Sequence, residues 1–220
     1  MNAMLDAWRQ SLQTPAGVLN LVASVVITSC VVAVFGAVLV NFAACRRGRE
    51  GVKNERRSLV ATGTMTLFFV GYYLLIRFRI GELPVYAFGP RLTMAVAGLA
   101  VIVFGCVVNI AGRLQLGRNW ANQATIYDGQ SLVTTGVYGW VRHPLYASII
   151  WMFYGASLVY ANAAAFLANT LVFVPFMTYR ARLEEAMLAR EFKDYDDYCR
   201  RVGRFFWKKP APRREGGTEP

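Results

Sequence analysis

Residues 116–146 read LGRNWANQATIYDGQSLVTTGVYGWVRHPLY, and this stretch separates two long apolar blocks of the chain. It contains the only histidine of the protein, His143, within the triplet RHP at residues 142–144. A second polar cluster, RARLEE, begins at Arg180, directly after the next apolar block. We predict that the two clusters meet at one face of a membrane and form a cofactor site there.

The composition indicates an integral membrane protein. Of the 220 residues, 55% are hydrophobic, and several uncharged runs reach the ~20 apolar residues that a helix needs to cross a bilayer. A formal net charge of +11 would suit nucleic-acid binding, but the basic residues cluster at the ends of the apolar runs, where charges set topology. We therefore expect no nucleic-acid partner. Four scattered cysteines and one histidine show no metal-ligand spacing, so we expect no protein-bound metal.

The uncharged runs predict about five transmembrane helices. Three of them are single spans: residues 15–45, 58–76 and 92–112. The last run, residues 144–179, would be about 54 Å long as one helix, which exceeds the ~30 Å hydrocarbon core of a bilayer. We interpret it as a two-helix hairpin with Asn162 at its tip. The alternative is one tilted helix with a kink at Pro175.

Small residues in the third span suggest where helices pack closely. Gly98, Gly105 and Gly112 recur every seven residues and therefore lie near one face of that helix. Small residues let membrane helices approach each other, although glycine is also common in such helices in general.

The distribution of charge predicts the orientation in the membrane. With five spans and the N-terminus outside, one side collects 20 lysines and arginines and the other side four. The positive-inside rule makes the richer side cytoplasmic. Residues 113–143 and the tail from Arg180 then share the cytosolic face. The membrane would be the inner membrane of a bacterium or the endoplasmic reticulum of a eukaryote.

The tail from Arg180 is predicted to form a cytosolic amphipathic helix. Its apolar residues fall close to one helical face: Leu183, Met187, Leu188, Phe192, Tyr195, Val202 and Phe206. Residues 208–220 are charged and rich in proline and glycine, and we expect them to be disordered. The predicted fold is thus an all-α, multi-pass membrane bundle. It divides into N-terminal transmembrane helices (1–115), a core of loop, hairpin and C-terminal helix (116–207), and the tail (208–220).

Taken alone, the RHP triplet has an ordinary and a functional interpretation. A single histidine near a membrane boundary is usually a hydrogen-bonding residue of the interface. Pro144 suits the first turn of a helix, and backbone N–H groups at a helix start suit an anionic ligand group. Tyr138 and Tyr146 could face a cation or an adenine ring. This combination of a helix start and aromatic rings suits a nucleoside cofactor, but many other polar loops have the same combination.

The two clusters together resemble the isoprenylcysteine carboxyl methyltransferase family and its phospholipid methyltransferase relatives. The resemblance covers roughly residues 116–206, with both halves in the family's order and spacing. These residues carry it: Leu132, Val133, Thr134, Gly136, Tyr138, Arg142, His143, Pro144, Tyr146, Glu184, Glu185, Phe192, Tyr195, Tyr198, Val202 and Phe205. Gln130, Lys193 and Trp207 depart from the pattern, where the family often has histidine, glycine and proline. These departures bear on the substrate range.

The resemblance implies an enzyme that uses S-adenosylmethionine. The cofactor-binding residues carried over from the family are Gln130, Leu132, Val133, Gly136, Tyr138, His143, Pro144, Tyr146 and Glu185. Arg142 and Glu184 are the predicted catalytic residues, and Arg142 would orient an acidic group of the substrate. Glu184 and Glu185 would reach the ribose or the catalytic centre. Their ordinary interpretation is a solvated helix start, where acidic residues are favourable.

The expected activity is methylation of the carboxylate of a prenylcysteine-like or other lipidic substrate that enters from the bilayer. A carboxylate is ionised at pH 7 and needs no base, whereas an amine must lose a proton, for which Glu184, Glu185 or His143 are candidates. The alternatives are a phospholipid or small-molecule N-, O- or S-methyltransferase, a sterol-reductase-like enzyme that binds NADPH, and a non-enzymatic membrane protein. The sequence does not choose an oligomeric state.

Overall fold

The structure is a computed structural model, and it describes residues 13–45, 52–55, 59–117, 125–127 and 131–208. Seven α-helices occur in these ranges: α1 (Pro15–Cys45), α2 (Leu59–Arg77), α3 (Phe88–Leu116), α4 (Pro144–Val159), α5 (Ala163–Ala168), α6 (Val174–Glu191) and α7 (Tyr195–Arg201). A 3₁₀ turn spans Gly136–Gly139, and a π-helical turn, Asn169–Phe173, joins α5 to α6. Gln130 and, apart from Lys208, the tail predicted to be disordered lie outside the described residues.

The predicted helical fold is confirmed in its coarse form. The structure adds one element that the sequence did not predict, an antiparallel pair of strands formed by β1 (Val52–Glu55) and β2 (Thr125–Tyr127). This pair connects the segment between α1 and α2 with the segment that follows α3.

Two of the described helices are long and apolar enough to cross a bilayer, over Pro15–Asn41 and Phe88–Leu116. Gly63–Arg77 and α4 are apolar but shorter. With 16 residues, α4 extends about 24 Å, less than the ~30 Å hydrocarbon core. The count of five spans therefore remains a prediction.

The apolar block 144–179 folds as a hairpin and not as one tilted helix. The chain turns after α4 through Ala161, which has a φ of +46°. Asn162 then begins α5, because its side chain accepts a hydrogen bond from the backbone N–H of Ala165 at 2.8 Å. The side chain of Asn169 donates to the carbonyl of Ile150 at 3.1 Å and so joins the two arms. The hairpin prediction is confirmed.

The predicted C-terminal helix is corrected in two respects. First, α6 begins inside the apolar block and continues without a break through Arg180 to Glu191, so the second polar cluster belongs to the hairpin's own helix. Second, the helix ends there because Phe192 is extended, and α7 is a separate short helix. Phe206, predicted on the packed face, is 57% exposed.

The predicted glycine face of α3 packs directly on α4. A Cβ atom at Gly98 would lie 2.5 Å from the carbonyl oxygen of Gly155, and one at Gly105 would lie 2.9 Å from that of Ser148. Gly112 faces Leu145 and Pro144 at the other end of the contact. The two helices are therefore antiparallel and close along their length, as the small residues predict.

The helices α1 and α2 flank this pair. Ala23 and Cys30 of α1 pack near Ile102 of α3. On the other side, Phe68 of α2 stacks on Phe173 with ring centroids 4.6 Å apart. Tyr72, near the end of α2, is buried and donates a hydrogen bond to the carbonyl of Phe153 at 2.5 Å.

Candidate active site

The site begins at a tight turn before α4. Gly136 has a φ of +59°, a conformation that favours glycine, and a Cβ there would collide with the side chain of Gln115. The same glutamine side chain accepts a hydrogen bond from the backbone N–H of Val137 at 3.0 Å. The end of α3 thus fixes the turn that leads into the RHP triplet.

The C-terminal residues fold back onto this triplet. The backbone N–H of Arg142 donates to the carbonyl of Gly203 at 2.8 Å, and that of His143 donates to the carbonyl of Arg204 at 3.2 Å. The hydroxyl of Tyr198, on α7, donates to the carbonyl of Tyr138 at 2.6 Å. The segment after α7 therefore packs against the RHP triplet. The RARLEE cluster reaches the same triplet through Glu185, which lies 2.9 Å from the guanidinium of Arg142, so the two polar clusters meet, as the sequence predicts.

Glu185 is the centre of an ion-pair network. Its carboxylate oxygens lie 2.9 Å from the guanidinium of Arg142, 3.2 Å from Nε2 of His143 and 2.7 Å from the guanidinium of Arg204. Burial alone would raise the pKa of Glu185, but the hydrogen bonds from these three side chains outweigh it and hold the pKa well below its usual range. Glu185 is ionised, and its oxygens are occupied by groups of the chain.

His143 is buried between the two carboxylates. Its Nε2 faces Glu185, and its Nδ1 lies 3.5 Å from an oxygen of Glu184. Burial opposes the charged form, but the hydrogen bonds with Glu184 and Glu185 outweigh it and raise the pKa of His143 above its usual value. The imidazole stacks on the ring of Tyr146, with an interplanar angle of 5° and centroids 5.7 Å apart.

Glu184 is the more open of the two carboxylates. The exposed fraction of its side chain is 26%, against 13% for Glu185. It accepts a hydrogen bond from the hydroxyl of Tyr146, and the guanidinium of Arg180 lies 5.7 Å above the tyrosine ring. Arg180 therefore packs on the tyrosine wall of the site. Glu184 retains room to accept a hydrogen bond from a ligand or to face a cation.

Arg142 is engaged within the chain. It donates two hydrogen bonds to Glu185, one to the carbonyl of Cys199 at 2.9 Å and one to the carbonyl of Val202 at 2.6 Å. These four bonds use nearly all the donors of the guanidinium. That Arg142 orients an acidic group of the substrate remains a prediction. The arrangement favours a residue that holds α7 and the RHP triplet together.

The other predicted residues line the same region. Leu132 and Val133 are half-buried in a segment without regular secondary structure, and Pro144 is buried at the first position of α4. Tyr138 is buried, and burial raises the pKa of its hydroxyl above the usual range. The nearby charges have smaller and opposite effects, since Glu184 raises this pKa and Arg113 lowers it.

Sequence reasoning missed three residues beside the site. Arg204 was read only as part of the tail, and Arg113 only as the start of a loop, although it lies on α3 with 8% exposure. Nε of Arg113 donates to the side chain of Asn109 at 2.9 Å, and Asn109 donates to the hydroxyl of Ser148 at 2.7 Å. Asn109 and Arg113 are four residues apart, beside Gly105 and Gly112, and this spacing could have placed them on the packed face.

Within the ranges that the structure describes, no group of three or more histidine, cysteine, aspartate or glutamate side chains could hold a metal ion.

These features define a class: a helical membrane protein with a partly open carboxylate site at the base of a helix hairpin. Comparison with known proteins finds a similarity over part of the chain. Residues 97–190 match the model of the isoprenylcysteine carboxyl methyltransferase family. The resemblance inferred from the motifs is thus confirmed, and the matched segment includes both polar clusters.

Individual relatives agree with the family match. The chain is similar to a protein-S-isoprenylcysteine O-methyltransferase of Xenopus laevis (31% identity, 50% of this chain and 39% of the relative) and to one of Tribolium castaneum (34% identity, 48% and 39%). A probable protein-S-isoprenylcysteine O-methyltransferase of Oryza sativa subsp. indica is 28% identical over 76% of this chain and 91% of its own length.

A solved structure has a similar fold over part of its length. The eukaryotic intramembrane Ras methyltransferase of this family aligns with a TM-score of 0.51 and 26% identity, over 69% of this chain and 53% of its own. The chain spans only about two-fifths of the length of the frog and beetle relatives.

Proposed function

We propose that the protein is an integral membrane methyltransferase that uses S-adenosylmethionine and methylates the carboxylate of a prenylcysteine-like or other lipidic substrate. The observation that carries the proposal is the pairing of His143 with Glu184 and Glu185 at the base of the hairpin, within the segment that matches the family. We place the proposed core in residues 116–207, behind the transmembrane helices of residues 1–115. The site would face the cytosol, with the N-terminus outside.

The residues present fit S-adenosylmethionine by their chemistry. The partly exposed carboxylate of Glu184 and the ring of Tyr146 suit a sulfonium cation or ribose hydroxyls. Leu132 and Val133 offer apolar walls, and Gly136 keeps the backbone accessible. When bound, the cofactor would supply an activated methyl group, so the chain would not need a metal or a covalent nucleophile.

Within this proposal, Glu184 binds the cofactor and Glu185 holds the site together. Glu185 pairs with Arg142 and Arg204 and contacts Nε2 of His143, and so fixes His143 beside Glu184. Arg142 is a positioning residue, because its bonds to Cys199 and Val202 hold α7 in place. An ionised carboxylate substrate needs no proton acceptor, so the task left to the chain is to orient the substrate and exclude water.

The first experiment measures cofactor binding. Protein purified in detergent is titrated with S-adenosylmethionine and, separately, with NADPH by calorimetry. We expect saturable binding of S-adenosylmethionine that Glu184→Gln weakens about tenfold or more, the effect of losing a hydrogen bond to a charged group. Glu191→Gln, an exposed glutamate of the same helix, is the matched control and should bind like the wild type.

The second experiment identifies the acceptor. Transfer of a labelled methyl group is measured to N-acetyl-S-farnesylcysteine, which offers a carboxylate, and to phosphatidylethanolamine, which offers an amine. Transfer to the first supports the proposal, and transfer to the second alone moves the activity to phospholipid methylation.

The calorimetric titration also separates the alternatives. If NADPH binds and S-adenosylmethionine does not, the protein is reductase-like. Binding of neither ligand by the folded protein favours a non-enzymatic role.

A further inference from the structure

A second polar site lies at the opposite end of the hairpin from His143. A cavity of about 220 Å³ is lined there by Asn20, Ile76, Arg79, Glu82, Arg91, Tyr160 and Asn162. These residues come from α1, α2, α3, the connector between α2 and α3, and the hairpin tip. Because α4 separates this cavity from the RHP triplet by about 24 Å, it is independent of the proposed methyltransferase site.

The cavity is part of a well-defined junction. The connector joins the hairpin tip through hydrogen bonds from Leu83 N–H to the carbonyl of Ala161 at 2.7 Å and from Ala163 N–H to the carbonyl of Gly81 at 2.9 Å. Arg79 and Ala161 both have positive φ, of 57° and 46°. Non-glycine residues adopt this conformation uncommonly, and here the hydrogen bonds between the connector and the hairpin tip support it.

The charges of the cavity favour an anion. Arg79 makes a two-pronged ion pair with Glu82, whose pKa the hydrogen bond from Arg79 holds below its usual value. Arg91 has only long polar contacts among the described residues, 3.8 Å to Glu82 and 3.4 Å to the side chain of Asn20. Two arginines against one glutamate leave an excess of one positive charge. A guanidinium with long contacts can turn to a phosphate, which its planar fork suits.

Exposed apolar side chains surround the cavity. They include Phe78, Ile80, Leu83, Tyr86, Phe88 and Leu92, which are 38–93% exposed. Aromatic and aliphatic side chains at a helix end are typical of the membrane interface, where lipid head groups lie. The volume is smaller than the ~300–1,000 Å³ of pockets for drug-sized ligands, so the cavity suits a head group.

We propose that this cavity binds the phosphate of an anionic phospholipid, with Arg91 as the principal ligand and Asn20 and Tyr160 beside it. The apolar collar holds the lipid's acyl chains against the ends of α2 and α3. Bound lipid would join α1, α3 and the hairpin tip at the membrane surface opposite the methyltransferase site.

The test is a lipid titration monitored by thermal unfolding of the detergent-purified chain. Phosphatidylglycerol is compared with phosphatidylcholine, which has a phosphate but no net charge, and with soluble glycerol 3-phosphate. We expect phosphatidylglycerol to raise the Tm in a saturable manner, and the other two to raise it little. Equal effects of both lipids would refute recognition of an anionic head group. An equal effect of glycerol 3-phosphate would show a soluble ligand and not a lipid.

Variants locate the site. Arg91→Gln should weaken phosphatidylglycerol about tenfold or more, and Arg91→Lys should lose less because it keeps the charge. Arg182→Gln removes an exposed arginine at the other end of the molecule and should behave like the wild type. A similar loss in both glutamine variants would mean attraction to net charge and would overturn the proposal.

A further variant acts in the opposite direction. Glu82→Gln removes the carboxylate that competes with a phosphate for both arginines, so it should bind phosphatidylglycerol more tightly than the wild type. This measurement keeps the proposal falsifiable if Arg91→Gln does not fold. Unchanged or weaker binding by Glu82→Gln would contradict it.

Discussion

The two ends of the hairpin each hold a carboxylate among cations, but they differ in what the carboxylate joins. At the RHP end, Glu185 contacts Arg142, His143 and Arg204, residues that are up to 43 positions away in the chain. At the tip end, the main partner of Glu82 is Arg79, three residues earlier, whose side chain is 75% exposed. An ion pair between glutamate and arginine therefore fixes tertiary structure at the RHP end and stabilises a local turn at the tip end.

The largest expected effect comes from removing the carboxylate of Glu185. Glu185→Gln leaves the guanidinium groups of Arg142 and Arg204, and the imidazole of His143, without the carboxylate that they share. Removal of one partner from a buried ion pair costs on the order of 3–5 kcal/mol. We expect a large fall in Tm and loss of S-adenosylmethionine binding. Glu82→Gln is the matched control at the tip. An equal fall in its Tm without lipid would show that the two carboxylates do not differ in their contribution to stability.

A second, smaller effect is expected where α3 and α4 connect the two ends. Gly155→Val forces side-chain atoms against the carbonyl of Gly98, and overpacking of this kind costs about 1–3 kcal/mol. Thermal unfolding measures the loss. Gly71→Val is the control, because a Cβ at Gly71 meets nothing within 4 Å. If the two valine variants unfold alike, the close glycine contact does not hold the helices together.

A third prediction concerns the open side of the RHP end. Tyr146→Phe removes the hydroxyl that donates to Glu184, a hydrogen bond to a charged group. We expect about a tenfold weaker affinity for S-adenosylmethionine in calorimetry, with a small change in Tm. Tyr154→Phe, on the same helix, removes a hydroxyl that pairs with Thr170 at 3.0 Å and should leave affinity unchanged. Equal affinities of both variants would argue against Glu184 as a cofactor ligand.

The smallest expected effect is the pH dependence of stability at the RHP end. His143 has a raised pKa in the folded state, so its contribution is complete below about pH 6.5 and is lost as the pH rises through the folded-state pKa. Glu185 has a lowered pKa, so its contribution is present above about pH 4.5 and is lost as the pH falls. The Tm of the wild type should therefore decline towards alkaline pH more than that of His143→Gln. Parallel curves would contradict this assignment.

The sequence predicted the meeting of the RHP and RARLEE clusters because each lies at the end of an apolar block, and the hairpin between them brings both ends together. It also predicted the close contact of α3 with α4, because small residues repeat along one face. Motif order and glycine spacing are properties of the sequence, so they can be recognised without knowledge of the tertiary structure.

Other features depend on contacts that no local pattern encodes. The burial of Tyr72 is one example. Lipid and protein interior are equally apolar, so an uncharged run does not reveal which of its side chains are buried. Arg204 contacts Glu185 only because α6 ends before Phe192 and the chain folds back after α7. The continuity of α6 through Arg180 was missed because a change from apolar to charged residues was read as the end of a helix.

The π-helical turn Asn169–Phe173 sets the angular position of both carboxylates. Successive residues of an α-helix are rotated by about 100°, and a π turn holds one residue more than an α turn. Deletion of one residue there would restore α geometry and rotate all of α6 by about 100°, so that Glu184 and Glu185 would point away from His143. The orientation of both carboxylates in the candidate site thus depends on a turn that lies more than ten residues before Glu184, inside the apolar block.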